Sequence, residues 1–181
     1  MEEYNYELKI SKERIAVIIG KGGSVKKQIE ESTDTKLEID SNEGDVFISG
    51  KDALQLYVTR EIIRSIGRGF NPEVALLLLK PDYVFECVSL AEYSGKSKSV
   101  LLRIKGRVIG KEGKSRRYIE EITETNISVY GKTISIIGSS ENAANAKYAI
   151  ESLLKGSTHS SVYQWLEKKR KQMKRKEILG I

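Results

Sequence analysis

The sequence predicts an α+β protein that contains two copies of one small domain. A glycine-rich stretch with the pattern G-K-x-G occurs twice, as IIGKGGSVKKQIEE at 18–31 and as VIGKEGKSRRYIEE at 108–121. The corresponding glycines Gly20 and Gly110 lie 90 positions apart. This offset is too long for a solenoid repeat and suits two small domains in a chain of 181 residues. Strand and helix patterns flank both copies.

The first copy reads as a complete unit. Alternation predicts a strand at 4–11, and a short apolar run at 14–19 ends at Gly20. Ser24 is a candidate N-cap for a basic amphipathic helix, and two strands follow at 35–40 and 46–50. Asp52 is the expected N-cap of a long helix that ends near Gly67 and Gly69. We place the first domain at 1–70.

The segment 71–95 is predicted to join the repeats. Asn71-Pro72 is a strong helix start, because proline suits the first helical position. The apolar run VALLLL is expected to be core that packs between the two domains, and 83–90 is rich in strand formers. This run, VALLLL, is the longest compact apolar stretch in the sequence, and six residues are far too few to cross a bilayer.

The second domain is predicted at 96–156. SVLLRIKGR is expected to form its first strand, and a helix follows the second glycine loop at about 115–123. Two strands turn near Gly131, and Ser140 or Asn142 can cap an alanine-rich last helix.

The tail at 157–181 is predicted to be a basic helix. Val162, Trp165, Leu166 and Met173 have roughly helical spacing, and seven of the nine residues from Lys168 to Lys176 are basic. Two interpretations remain open: a solvated helix whose apolar start docks on the body, or a basic arm that contacts RNA phosphates.

Composition excludes several classes of protein. The hydrophobic fraction of 39% and the charged fraction of 31% are typical of a soluble globular protein. Cys87 is the only cysteine, so no intrachain disulfide forms, and the acidic N-terminus has no apolar run like that of a signal peptide. These features predict a cytoplasmic protein without membrane association.

The order of elements in each copy resembles a type I KH domain. That order is strand, helix, glycine loop, helix, strand, strand, helix, with an apolar pair before G-x-x-G. A helix-turn-helix with a glycine turn is the alternative, and the repetition with the same flanks argues against it. The resemblance implies two type I KH domains in tandem, each a three-stranded sheet with three helices, plus a C-terminal basic helix.

In such domains the glycine loop and the adjoining groove hold about four single-stranded nucleotides. Glycines allow close approach of backbone N–H groups to phosphates, and the next helix adds its positive dipole end. The predicted RNA-binding residues are the two loops and the nearby basic side chains: Gly20, Lys21, Gly22, Gly23, Lys26, Lys27, Arg103, Lys105, Arg107, Gly110, Lys111, Glu112, Gly113, Lys114, Arg116 and Arg117. Apolar groove candidates, which are equally explained as core, are Ile19, Val25, Ile29, Leu37, Ile39, Ile109, Ile119, Ile122, Ile127 and Val129.

Charge favours the second loop as the main RNA surface. Residues 96–156 carry 12 basic against 6 acidic side chains, whereas residues 4–70 carry 11 of each. Glu112 places one carboxylate beside the expected phosphate, but the surrounding excess of cations outweighs it over the screening length of about 8 Å. The first loop is predicted to bind RNA weakly or to dock a protein.

The second repeat carries a closer resemblance. R-I-K-G-R before the loop, VY after the glycine that ends the last helix, and GFNPEVALLLL between the repeats are similar to the archaeal tandem-KH proteins of small-subunit ribosome assembly, the Dim-two or partner-of-Nob type. The resemblance implies binding near the 3′ end of 16S rRNA and partnership with the endonuclease that matures that end, within the precursor of the small subunit. A tandem-KH subunit of another RNA machine, such as an exosome-type complex, is the alternative.

Nothing in the sequence indicates an enzyme. The 25 acidic residues are scattered, so no carboxylate cluster for a metal nuclease is apparent. His159 lies in a polar Ser/Thr stretch without metal-ligand spacing, and Cys87 lies in an apolar strand. We therefore expect no catalytic residue, no metal, no cofactor and no small-molecule substrate.

Overall fold

The computed structural model describes residues 4–181. These residues form two compact units, and the boundary between the units along the chain lies between Tyr83 and Val84. The elements up to this boundary are β1 (Tyr4–Lys9), α1 (Lys12–Ile19), α2 (Ser24–Thr33), β2 (Lys36–Asp40), β3 (Asp45–Gly50), α3 (Ala53–Gly67) and α4 (Pro72–Ala75). A 3₁₀ turn at Leu76–Leu79 follows. The remaining elements are β4 (Tyr83–Ser89), α5 (Ala91–Ser94), α6 (Lys98–Ile109), α7 (Lys114–Thr123), β5 (Asn126–Tyr130), β6 (Thr133–Ser139), α8 (Ser140–Leu154) and α9 (His159–Leu179).

Each unit contains one three-stranded sheet. The strand orders are β1-β3-β2 and β4-β6-β5, so the last strand of each unit lies in the centre. In the first sheet both edge strands run antiparallel to β3, with Tyr4 opposite Gly50 and Lys36 opposite Ser49. The predicted α+β architecture of two three-stranded domains is therefore confirmed.

The central strands bury different numbers of faces: burial alternates along β3, whereas Thr133–Gly138 of β6 are all buried. In β3, Val46 and Ile48 are fully buried, whereas Phe47 between them is 44% exposed. In α8 the buried alanines Ala143, Ala146 and Ala149 recur every third residue, so the helix presents a flat, narrow face to β6. Small side chains allow this close approach.

The prediction of a strand at SVLLRIKGR was wrong, because these residues lie in α6. Val100, Leu101, Ile104 and Val108 turn inward at helical spacing, and the side chain of Ser97 accepts a hydrogen bond from Val100 N at 3.3 Å. The missing strand comes from earlier in the chain. β4 supplies the third strand of the second sheet, which places Val84–Ser89 with the second unit.

The other half of the segment 71–95 belongs with the first unit. Helix α4 begins at Pro72, as predicted, and packs on α3 together with the following 3₁₀ turn. The segment predicted as one linker is thus divided near Tyr83 by its contacts. The predicted packing of VALLLL between the domains stays a prediction.

Helix caps tested three sequence predictions. Asp52 caps α3, since its carboxylate accepts hydrogen bonds from Leu54 N at 2.8 Å and Gln55 N at 3.3 Å. Ser24 does not cap α2: it is the first helical residue, and Gly23 stands at the cap. Ser140 is likewise the first residue of α8, which has no side-chain cap bond. In both cases the residue before the serine has the non-helical backbone of a cap position: Gly23 is left-handed and Ser139 is extended.

The tail begins as a docked helix. Thr158 caps α9 by accepting a hydrogen bond from Ser161 N at 3.3 Å. Val162 and Leu166 are buried, and the helix packs on α7 and α8. In the part of the chain that the structure describes, no helix has the length and apolarity needed to cross a membrane.

Two glycines of the second unit should respond in opposite ways to alanine. Gly106 lies in α6 where an added Cβ meets nothing within 4 Å, so Gly106→Ala should stabilise by about 0.5–1 kcal/mol. Gly138 is buried, and its Cβ would lie 2.7 Å from Thr125 Cγ2, so Gly138→Ala should destabilise by about 1–3 kcal/mol. Urea unfolding followed by the fluorescence of Trp165, the single tryptophan, reports this unit directly. Equal effects of the two substitutions would contradict the packing described here.

Candidate nucleic-acid interface

The two glycine loops have the same backbone conformation. Gly20 has φ 71° and ψ 176°, and Gly110 has φ 73° and ψ 174°. The middle position has φ 61° and ψ 23° at Gly22 and φ 54° and ψ 27° at Glu112. The loops therefore differ in side-chain charge and not in backbone path.

The first glycine of each loop is fixed by close packing. A Cβ on Gly20 would lie 2.5 Å from Val25 Cγ2, and one on Gly110 would lie 2.8 Å from the backbone N of Ser115. The last glycine is fixed by conformation instead: Gly23 has φ 79° and Gly113 has φ 74°, while an added Cβ on Gly23 meets nothing within 4 Å. Left-handed backbone favours glycine at these positions.

Each loop leads directly into a helix whose amino end no side chain caps. Neither α2 nor α7 has a side-chain cap bond. Within the loops, Gly23 N donates to Gly20 O and Gly113 N to Gly110 O, both at 3.2 Å, and the first helical amides, those of Ser24 and Lys114, donate to Lys21 O and Lys111 O. The first-turn N–H groups of a helix have no intrahelical acceptor. An anion at the loop would therefore meet these donors and the positive end of the helix dipole.

Glu112 occupies a left-handed position that a non-glycine residue rarely adopts. Its carbonyl oxygen accepts a hydrogen bond from Arg117 Nη2 at 2.7 Å, one turn into α7. This contact holds the strained peptide, while the Glu112 side chain stays exposed. Arg117 thus supports the loop from within the same domain.

Apart from Arg117, the predicted basic residues differ in what they contact. Arg107 donates from Nε to Leu153 O at 3.0 Å and from Nη2 to Ser157 O, and Lys105 donates to Gly131 O at 2.9 Å. These side chains join secondary-structure elements. Lys21, Lys111 and Lys114 at the loops are instead exposed, as is Arg103 in the middle of α6. Within residues 4–181 these four side chains have no ion pair.

Three predicted basic residues on the helices after the loops face carboxylates. Lys26 Nζ lies 4.0 Å from Glu30 Oε1, Lys27 Nζ lies 3.7 Å from Glu31 Oε1, and Arg116 Nε lies 3.8 Å from Glu120 Oε2. These i,i+4 pairs are partly exposed and long, so each is worth little. Their charge remains available to a phosphate.

The apolar groove candidates also separate by burial. Ile29, Leu37, Ile119 and Ile127 are buried, which assigns them to the core. The rest are half-buried and reachable from solvent: Ile19, Val25, Ile39, Ile109, Ile122 and Val129. Ile19, Val25 and Ile109 lie next to the loops, and Ile39 and Val129 lie on the edge strands β2 and β5. Ile122 instead lines the cleft between α7 and α9, so the structure does not place it in the predicted groove.

Sequence reasoning missed a helix glutamate in each domain that accepts a hydrogen bond from an edge strand, β2 or β5. Glu30 Oε1 accepts Leu37 N at 2.7 Å in β2, and Glu120 Oε1 accepts Ile127 N at 2.7 Å in β5. Each glutamate therefore engages one backbone N–H group on the side of the edge strand that faces away from the sheet. Alternate residues of a strand direct their backbone groups to the same edge, so Ile39 and Val129 present the next groups on this side. The equal spacing of the two glutamates in the repeats was the available signal.

Helix α9 braces the second loop and was also missed as a contact. The ring nitrogen Nε2 of His159 lies 2.8 Å from Arg107 O in the last turn before the loop. Tyr118, one turn beyond the loop, donates to Glu167 Oε1 at 2.9 Å, and its ring contacts that of Tyr163 at a tilt of 43°, with 4.2 Å between the ring centroids. Burial, followed by the bond to Glu167, raises the pKa of Tyr118 to about 12. The helices on both sides of the loop are therefore tied to α9.

Among residues 4–181 no cluster of three or more His, Cys, Asp or Glu side chains could hold a metal ion.

The fold and the loops define a tandem KH protein of type I. Residues 5–65 match the KH domain family. Residues 84–171 match the second KH domain of PNO1, described as a eukaryotic-type KH domain of type I. The second match includes β4 and most of α9, which agrees with the observed boundary of the second unit.

Relatives narrow this class. A KH domain-containing protein of Methanocaldococcus jannaschii is 51% identical over 93% of this chain and 75% of its own length. Dim2p from Pyrococcus horikoshii OT3 has a crystal structure that is 44% identical, with a TM-score of 0.85 over 91% of this chain and 99% of that one. The chain belongs to the Dim2/PNO1 family of tandem-KH proteins, as the sequence resemblance predicted.

Two further comparisons extend the match. A structure of a protein of unknown function from Aeropyrum pernix is 38% identical and covers 99% of this chain and 97% of that one, with a TM-score of 0.94. A complex of a/eIF2alpha, aDim2p and rRNA from Pyrococcus horikoshii contains a chain that is 43% identical, with a TM-score of 0.87 over 94% of this chain and 96% of that one. The RNA-binding protein pno-1 of Caenorhabditis elegans is 31% identical, and the match spans 64% of this chain but only 43% of that protein.

Arg107 and Lys111 should separate stability from RNA binding. Arg107→Gln removes the bonds to Leu153 O and Ser157 O, so the free energy of unfolding should fall by about 1–3 kcal/mol while folded protein keeps its RNA affinity. Lys111→Gln removes an exposed cation and should weaken RNA binding without changing stability. Urea unfolding and fluorescence anisotropy on both variants test this. The reverse pattern would mean that Arg107 contacts RNA.

Proposed function

We propose that this protein binds single-stranded rRNA near the 3′ end of 16S rRNA and assists the maturation of that end by an endonuclease. The observation that carries the proposal is the pair of superimposable G-K-x-G loops, each placed at an uncapped helix start beside a half-buried apolar groove. Membership of the Dim2/PNO1 family supports it, since relatives are named as RNA-binding and pre-rRNA-processing proteins. The aDim2p chain in the Pyrococcus complex is bound with rRNA.

Binding would begin at the loops. Phosphates of three or four nucleotides approach Gly20–Gly23 or Gly110–Gly113, where backbone donors and the helix dipole meet them without a Cβ in the way. The bases then lie on the half-buried side chains of the groove. Backbone groups of β2 and β5 that Glu30 and Glu120 leave unoccupied can read base edges. The chain supplies position and charge in this mechanism, and no residue of it performs chemistry on the RNA.

The second loop is proposed as the stronger phosphate site. The backbone paths are equal, so charge decides between the loops, and residues 96–156 carry 12 basic against 6 acidic side chains. The second loop also has helices on both sides tied to α9 through His159 and Tyr118. A loop that is held in its binding conformation loses less entropy when RNA binds.

Replacing loop residues by aspartate tests the phosphate site. The variant Lys111→Asp with Glu112→Asp keeps both flanking glycines and should lower RNA affinity at least tenfold, about 1.4 kcal/mol, because carboxylates repel phosphate. The corresponding first-loop variant, Lys21→Asp with Gly22→Asp, ends with the same two carboxylates after a larger change of charge, three units against two, and should still lose less. Anisotropy with a single-stranded oligonucleotide that copies the 3′ end of 16S rRNA, at one salt concentration, measures both. If the first-loop variant stays folded and loses more affinity, the charge argument is wrong.

An exchange of the middle residue isolates the carboxylate. Glu112→Gly should raise the RNA affinity of the second loop, since it removes a negative charge and a strained left-handed residue. Gly22→Glu in the first loop is the reciprocal change, and a Cβ there meets nothing within 4 Å. The first variant should bind a few-fold more tightly and the second a few-fold more weakly. No change in either would show that phosphates do not pass this position.

The proposed partners are the precursor of the small subunit and the endonuclease that matures its rRNA. Tagged protein purified from cells should carry precursor particles, and adding it should change the rate of endonuclease cleavage at the 3′ end in a reconstituted reaction. Recovery of exosome-type degradation subunits in place of precursor particles would contradict this assignment.

A further inference from the structure

The second half of helix α9 carries a run of cations that form no ion pair within the described residues. Seven of the nine residues from Lys168 to Lys176 are basic, and within residues 4–181 none of them forms an ion pair. By contrast, Lys26, Lys27 and Arg116 on the helices after the loops do face carboxylates. A cluster of seven unneutralised cations on one helix repels itself, so a partner that neutralises it would gain free energy.

Helical geometry divides these cations between two faces. Val162, Leu166 and Met173 form the side that packs on α7 and α8, and Lys169 on this side lies 5.5 Å from the Trp165 ring. At 100° per residue, the directions of Lys168, Lys171 and Arg175 fall within about 60° of one another. The group is centred opposite the packed side, and Lys171 lies at its border with the cleft toward α7. All three are exposed. We call these three residues the outer stripe.

Helix stability accounts for one residue of the outer stripe, Arg175, and leaves the other two without an explanation. Cations near a helix carboxyl end interact favourably with its dipole, which accounts for Lys174, Arg175 and Lys176 close to Leu179. Lys168 and Lys171 lie more than two turns before the end, where this effect has faded. Solvation of a surface helix would be served as well by mixed charges, yet the 21 residues of α9 contain only two acids, Glu167 and Glu177.

The nearby carboxylates leave the outer stripe cationic. Glu167 is engaged by the Tyr118 hydroxyl at 2.9 Å. Glu121 lies across the cleft between α7 and α9, which is also lined by Lys171, Lys174 and Arg170, so cations outnumber it there. The electrostatic potential along the outer stripe therefore remains positive.

The stripe is too far along the molecule to touch the nucleotides in the second loop's groove. Contacts of His159 with Arg107 and of Glu167 with Tyr118 show that α9 runs alongside α7, away from the loop. Lys168 stands beyond the level of Tyr118, and Arg175 lies about 10 Å further along the axis. A ligand of the stripe is therefore a continuation of the RNA beyond the groove, or a separate molecule.

We propose that the outer stripe binds phosphates of the RNA segment that flanks the nucleotides held by the second loop. This proposal rests on the proposed function. RNA is favoured because its backbone presents regularly spaced negative charges to a rigid row of three cations, and because the same unit carries the phosphate loop. The stripe reads no base and adds affinity without sequence preference.

Two RNA lengths and two charge-matched variants test the proposal. The stripe variant is Lys168→Gln, Lys171→Gln and Arg175→Gln. The control is Lys96→Gln, Lys98→Gln and Lys132→Gln, which removes the same charge from exposed positions of the same unit. The RNAs are a short oligonucleotide of about five nucleotides, enough for one groove, and one extended by about ten nucleotides on each side. Anisotropy competition at several salt concentrations gives affinity and salt slope, and circular dichroism checks that α9 remains helical.

The stripe variant should lose about tenfold in affinity for the long RNA, and its salt slope should fall by about two, since each lost single-strand contact changes it by about 0.7. Its affinity for the short RNA should match that of the parent, and the control should stay near the parent on both. If the stripe variant and the control bind the long RNA equally well, the proposal is overturned. The proposed function remains intact in that case, provided that the parent protein binds the short RNA. Failure of the parent to bind the short RNA would remove both. Loss of precursor particles with unchanged RNA affinity would assign the stripe to a protein and overturn the RNA contact.

Discussion

The close approach of each glycine loop to the helix that follows it is the constraint on which the binding surface depends. Gly20 and Gly110 have no Cβ, and one would lie under 3 Å from Val25 or Ser115. This contact allows the first helix to end and the next to begin within a few residues. Because the second helix starts with Gly23 or Gly113 at its cap, no side chain competes for its amide donors. Loop, groove and outer strand are then fixed relative to one another.

The two domains use one backbone for two different electrostatic settings. At the middle loop position, Gly22 adopts left-handed backbone without strain, whereas Glu112 adopts it with the help of Arg117. The second domain accepts this cost and adds a carboxylate to a more basic surrounding. It also gains α9, through Tyr118, Tyr163 and His159, in the place where the first domain continues into α4. A phosphate would therefore meet the same backbone in both domains but a different surrounding charge, and only the second loop is held in place by α9.

An arginine performs the same structural task in both units from different positions. Arg14 in α1 donates to Ile66 O and Phe70 O, each at 2.8 Å, at the end of α3. Arg107 in α6 donates to Leu153 O and Ser157 O at the end of α8. Each guanidinium links a carbonyl in the last turn of a helix to the carbonyl four residues further along the chain, and so ties the helix end to the segment that follows it. The two residues are not at equivalent positions in the repeats, so the sequence repeat alone did not reveal the shared role.

The sequence by itself determined the repeat, the order of most elements, the glycine loops and the family, because these follow from local patterns and from spacing along the chain. It also placed Asp52 correctly as a cap, since capping depends on neighbouring residues. Only the tertiary structure decided that 98–109 is a helix and that β4 completes the second sheet, because an apolar pattern of that length suits either state until its partner is known. It also decided which cations are engaged: Arg107 and Lys105 bond carbonyl groups distant in sequence, whereas Lys168, Lys171 and Arg175 face outward because α9 packs by its other side.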